Sequence, residues 1–170
     1  MSLVFAMITE CQKMLTNLDA WLTKAEAHAK ARSFDPNVLL ASRLAPDQYP
    51  LVRQVQSACD SAKFLAARLS GKEPPKHPDT ETTVAELHAR IAAVTAHLAT
   101  FTEKDFEGAD KRIVKLTWME GKGLTGGDNL VELAIPNFYF HLVTAYAILR
   151  HTGVELGKAD YIGKLSIIDV

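Results

Sequence analysis

The stretch at residues 135–153, IPNFYFHLVTAYAILRHTG, is nearly apolar on every side, yet it carries Asn137 and His141 one helical turn apart. A helix that apolar belongs in the middle of a bundle, wrapped by other helices. Two polar side chains at i and i+4 on such a helix point the same way, into a core or a pocket. A metal or ligand site in this chain belongs there.

The rest of the sequence supplies the wrapping. In residues 3–32, Val4, Met7, Cys11, Leu15, Leu18, Leu22 and Ala25 recur at steps of three and four, the helical period. Three prolines, Pro36, Pro46 and Pro50, then force their preceding residues out of the helical region, so residues 34–49 read as extended pieces or single turns. A second helix starts near Pro50, carries Leu51, Val55, Ala58, Cys59, Ala62, Leu65 and Leu69 on one stripe, and stops at Gly71. The proline-rich segment GKEPPKHPD links it to a third helix, whose start at Thr83 to Glu86 fits a capping box. Val84, Leu87, Ile91, Val94, Leu98 and Phe101 form the seam of that helix.

Two alternating segments, RIVKLT at residues 112–117 and NLVELAI at residues 129–135, flank the glycine-rich WMEGKGLTGGD. They predict a β-hairpin with a long loop between the third and last helices. Pro136 then opens the last helix and Gly153 ends it, leaving an irregular tail over the bundle. The expected architecture is an all-α up-down four-helix bundle with a small β-hairpin inserted before the last helix, a single domain over residues 1–170.

Composition narrows the function. With 48% hydrophobic and 23% charged residues, the chain is ordinary for a soluble globular protein. Its net charge is −1 and its Lys and Arg residues are scattered, so the basic stripe needed to bind nucleic acid is missing. The apolar run at residues 133–149 is interrupted by Pro136, Asn137 and His141 and is too short and polar for a membrane span. No basic segment precedes the apolar N-terminal run, so a cytoplasmic protein is expected. Cys11 and Cys59 fall at core positions on different helices and read as two reduced, buried thiols.

Three readings of the polar pair stay open. In the first, His141 holds a divalent ion with help from its own helix and from helix two. Its i−4 neighbour is Asn137 and its i+4 neighbour Ala145, and a neutral amide oxygen is a poor ligand for zinc or nickel. In the second, His141 is a structural histidine bonded to Asn137, Thr144 or a backbone carbonyl. In the third, Asn137, His141 and Thr144 floor a pocket for an organic ligand. Helix two carries no histidine, though Gln54, Gln56 and Asp60 are there, and Asp60 reads as a solvated charge rather than a ligand. The cluster Gly121, Gly123, Gly126 and Gly127 lacks the spacing of a phosphate loop and reads as flexible. Trp118 beside it is either a lid or contact residue or a packed hairpin side chain.

The pattern NFYFH followed by TAYAILRHxGVxxGKxDY, with the runs at residues 43–51 (RLAPDQYPL) and 106–109 (FEGA), resembles the bacterial domain-of-unknown-function family 1993. That family is similar to the DinB/YfiT-like superfamily, and this resemblance implies a metal-dependent enzyme scaffold. The resemblance covers nearly the whole chain and implies a DinB-like four-helix bundle, often dimeric. In the superfamily one histidine on helix two and an HxxxH pair on helix four hold a metal, and better-understood relatives are thiol-dependent transferases and hydrolases. Carried onto this sequence, the pair falls on Asn137 and His141 and the helix-two position near Val55, so only His141 matches. The resemblance therefore implies a degenerate metal site in a metal-free homodimer that binds a small molecule or a protein. The alternative is a metal-dependent hydrolase or thiol transferase, with zinc or nickel at His141 acting as Lewis acid or water activator.

If His141 is a buried, bonded histidine, His141→Ala strands its partner. It should lower stability by about 1–3 kcal/mol in thermal or urea unfolding. An unchanged melting temperature would refute the structural role.

Overall fold

Four long helices carry the fold in the computed structural model, which describes residues 2–169. Helix α1 spans Leu3–Ala31 and is started by Ser2, whose side chain accepts from the Phe5 amide. Its whole expected stripe is buried, and Ile8, Met14 and Trp21 join it. The proline-punctuated connection folds into a 3-10 turn at Pro36–Ala41, opened by Asp35, whose carboxylate accepts from Asn37 N at 2.9 Å. Helix α2 spans Leu51–Ser70 and ends at Gly71, whose φ of 77° is the left-handed conformation a helix stop requires.

Helix α3 spans Val84–Leu98 and begins with the expected capping box: Thr83 Oγ1 accepts from Glu86 N at 3.2 Å, and Glu86 Oε2 accepts from Thr83 N at 2.9 Å. Helix α4, Ile135–His151, packs along α2 and is closed by Gly153, where Val154 N donates to Leu149 O at 3.0 Å. The four helices share one hydrophobic cluster with Leu15, Leu18, Leu51, Val55, Leu87, Val94, Leu142 and Leu149 at its centre. Among the described residues no helix is long and apolar enough to cross a membrane.

The hairpin is present, but its second strand is not the expected one. Strand β1, Ile113–Lys115, pairs antiparallel with β2, Gly123–Thr125, inside the glycine-rich segment. Close approach explains the choice, because a Cβ on Gly123 would lie 2.9 Å from the Val114 carbonyl oxygen. Three residues on, a Cβ on Gly126 would lie 1.8 Å from the Ala109 carbonyl oxygen, so the chain turns there against the preceding 3-10 turn only because glycine occupies the position. NLVELAI is helical instead. Thr125 caps the turn, and Asn129–Ala134 forms a π-helical segment running directly into α4. Its buried residues Asn129, Leu130 and Ala134 lie on one helical face rather than alternating. The wider π turn lies just before Pro136, which lacks an N–H and crowds the carbonyl four residues back.

The tail, expected to be irregular, contains a short helix α5 at Lys158–Ile162 that docks on α1. Trp21 Nε1 donates to Asp160 O at 3.0 Å, Asn17 Nδ2 donates to Tyr161 O at 3.0 Å, and the Trp21 and Tyr161 rings stack with centroids 5.6 Å apart.

The proline-rich linker at residues 72–82 is strapped down by charge. Arg90 on α3, with its side chain 1% exposed, reaches Asp60 of α2 at 2.9 Å, Asp79 at 3.0 Å and Glu81 at 2.9 Å. Asp60 also binds the buried Lys63 at 2.7 Å, Arg53 pairs with Asp79, and Gln56 Nε2 donates to Glu81 at 2.8 Å. Asp60 is thus no solvated charge, as its position on the helix suggested, but the link between two buried cations. Burial opposes the Arg90 charge, but Glu81 and Asp60 outweigh it and raise its pKa.

Removing the central cation leaves three carboxylates facing one another. Arg90→Met should therefore lower stability by on the order of 3 kcal/mol in chemical denaturation. A loss no larger than that of an exposed substitution would disprove the keystone role.

Candidate functional site

Residues 53, 57, 61, 64 and 68 step along one stripe of α2, and this stripe faces the start of α4. Between them lies an open cleft of about 310 Å³. Arg53, Ser57, Ser61 and Phe64 form one wall, and Leu133, Ala134, Asn137 and His141 the other. Trp118, 61% exposed, reaches it from the turn that follows β1.

Two cross-helix hydrogen bonds set the floor. His141 Nδ1 lies 2.8 Å from Gln54 Oε1, and Asn137 Nδ2 donates to Ser61 Oγ at 2.6 Å. Gln54 is fully buried, and its amide nitrogen is already committed, donating to Tyr49 O at 3.0 Å. Its oxygen must then face the imidazole, so Nδ1 carries the proton and donates. Nε2 is left as the basic nitrogen. It makes no hydrogen bond among the described residues and is not sealed from the cleft. Burial, then the nearby Arg53 charge, lowers the His141 pKa, so the ring is neutral at pH 7. The result is a fixed tautomer presenting an acceptor to whatever enters.

The sequence reading placed the partner of His141 on its own helix or on the backbone, and that is corrected. Asn137 is drawn across to Ser61, and Thr144 turns its hydroxyl back to Phe140 O at 2.7 Å. Of the three residues read as a pocket, Asn137 and His141 line the cleft, while Thr144 is not among its lining residues. Gln54 was visible on helix two, but a contact 87 residues apart leaves no spacing signal. Trp118 is exposed and lines the cleft rather than packing into the hairpin.

The donor set does not suit a divalent metal. The polar groups nearest His141 are those of Gln54 and Asn137, neutral amides already engaged in hydrogen bonds. Val55, the helix-two position suggested by the resemblance, is a fully buried core residue. Among the described residues no three His, Cys, Asp or Glu side chains gather into a metal-binding group. The other histidines are dispersed: His88 bridges α3 to Asp19 of α1, and His97 packs edge-on against Phe101. The thiols of Cys11 and Cys59 are free and buried, and burial pushes both pKa values up, Cys59 to about 12, so neither is a nucleophile at neutral pH.

With the geometry in place, comparison with known proteins adds a lineage. The family model described as a domain of unknown function (DUF1993) matches residues 3–162. The chain is similar to a DinB family member protein from Shewanella denitrificans, known from its crystal structure, at 50% sequence identity and a TM-score of 0.93. The match covers 96% of this chain and 93% of that one. No curated protein matches.

Acid should weaken the protein in two stages. Burial lowers the pKa values of His141, His97 and His77, so the folded state favours their neutral forms. The unfolded chain takes up protons first, from about pH 6.5 downward, and stability falls with pH through that range. The carboxylates of Asp79 and Glu81 experience opposing burial, but hydrogen bonds to Arg53 and Arg90 hold them below their usual range. Their contribution is lost only below about pH 4. The melting temperature should fall between about pH 7 and pH 5, and His141→Gln should flatten part of that slope. A level profile over this range would contradict the histidine assignment.

Proposed function

Because the chain belongs to the DUF1993 family of DinB-like bundles, we propose that its cleft between α2 and α4 binds a small organic molecule without a metal. One observation carries this reading: the Gln54 amide grips His141 Nδ1, with its own nitrogen fixed on the Tyr49 carbonyl. That arrangement holds the imidazole as a neutral acceptor, suited to a ligand hydroxyl or amide, and provides no set of basic donors for a metal. Asn137 and Ser61 add a polar patch, and Phe64 on one wall and Leu133 and Ala134 on the other add apolar surface. A concavity that sets convergent polar groups beside apolar side chains suits a small organic molecule.

The test is elemental mass spectrometry on protein purified without a histidine tag or chelator, alongside nitrogen-15 NMR of the His141 ring. Metal content far below one equivalent, with Nδ1 protonated and Nε2 free, is expected. One equivalent of zinc, nickel or iron that disappears in His141→Ala would end the metal-free reading.

A further inference from the structure

The cleft also has an opinion about charge. Asp60 is neutralised by Lys63 and Arg90, and Arg53 by Asp79. Arg68, on the same wall of α2, has no such partner. Among the described residues it makes no ion pair and no hydrogen bond, and it lies over the Phe64 ring, 5.6 Å from Cζ to centroid. Burial lowers its pKa, but an arginine remains charged. A half-buried guanidinium with five N–H donors and no carboxylate is a fork without its anion. Trp118 is largely exposed and, among the described residues, has neither a ring partner nor a hydrogen bond. Phe64 and Trp118 therefore bring aromatic surface to the same concavity as the uncompensated cation.

We propose that the ligand of this cleft is a small aromatic carboxylate, its carboxylate held by Arg68 and its ring lodged against Phe64 and Trp118. The inference rests on the cleft being a ligand site and adds the class of ligand. A paired Arg68 would have pointed to a structural ion pair, and an apolar cleft to a neutral ligand. The surplus positive charge set among aromatic groups favours an anion with a flat apolar body.

The experiment uses 2-naphthoate and its uncharged amide, 2-naphthamide, titrated into the full-length protein by calorimetry, with the His141 ring resonances followed by NMR. The carboxylate should bind on the order of tenfold more tightly than the amide, as one charge-assisted fork predicts. Arg68→Gln, which breaks no hydrogen bond within the protein and should melt like wild type, should erase the difference. Arg68→Lys, which keeps the charge but not the fork, should retain part of it. If the amide binds as tightly as the carboxylate and still moves the His141 resonances, the cleft binds ligands but the anion preference is wrong. A difference that survives in Arg68→Gln would likewise overturn the role of Arg68. If neither probe binds or moves those resonances, the inference and the cleft reading both fall.

Discussion

The buried Arg90 side chain is the constraint around which the upper part of the bundle is organised. Taking a guanidinium out of water is costly, and the cost is offset only if carboxylates converge on it with good geometry. Asp60 comes from α2, and Asp79 and Glu81 come from the linker, so one cation ties two helices and a proline-rich strap together. Arg53 and Lys63 bring the cations of this cluster to three, matching its three acids. The consequence reaches the cleft. Arg53 and Asp60 line it, but both are already committed to the network, so the charge left for a guest is not theirs.

The entry to α4 performs the second task, that of aiming. The segment Gly126–Asp128 begins the turn, the π segment Asn129–Ala134 carries it, and α4 follows without a break. Asn129 is buried within this segment with both side-chain amide atoms unpaired among the described residues, a costly arrangement. Asn137 and His141, within two turns of its end, meet Ser61 and Gln54 across the helix interface.

What the sequence disclosed follows from which interactions are local. Helix stripes and caps depend on near neighbours, and so the inner face of α1, the Thr83 capping box and the Gly71 stop were all legible. The second strand was misread because alternation over a few residues does not separate a strand from a short helical turn. The deciding facts, the approaches of Gly123 to Val114 and of Gly126 to Ala109, involve residues brought together only by folding. The site was legible on one side only. His141 and Asn137 stood out as polar residues on an apolar helix, but no spacing in the sequence ties Gln54, Ser61 or Arg68 to them. Asp60 was misread for the same reason, since Arg90 lies 30 residues away.

The π segment also fixes the phase of everything after it. A π turn accommodates an extra residue within a helix, and each residue of an ordinary helix advances the face by about 100°. The wider turn takes up that residue locally, so the helix beyond keeps Asn137 and His141 turned toward α2. Phe138, Leu142 and Ala145, beside them on the same helix, are core residues. A change of phase would unseat core and cleft together, so the packing of α4 and its chemistry share one setting.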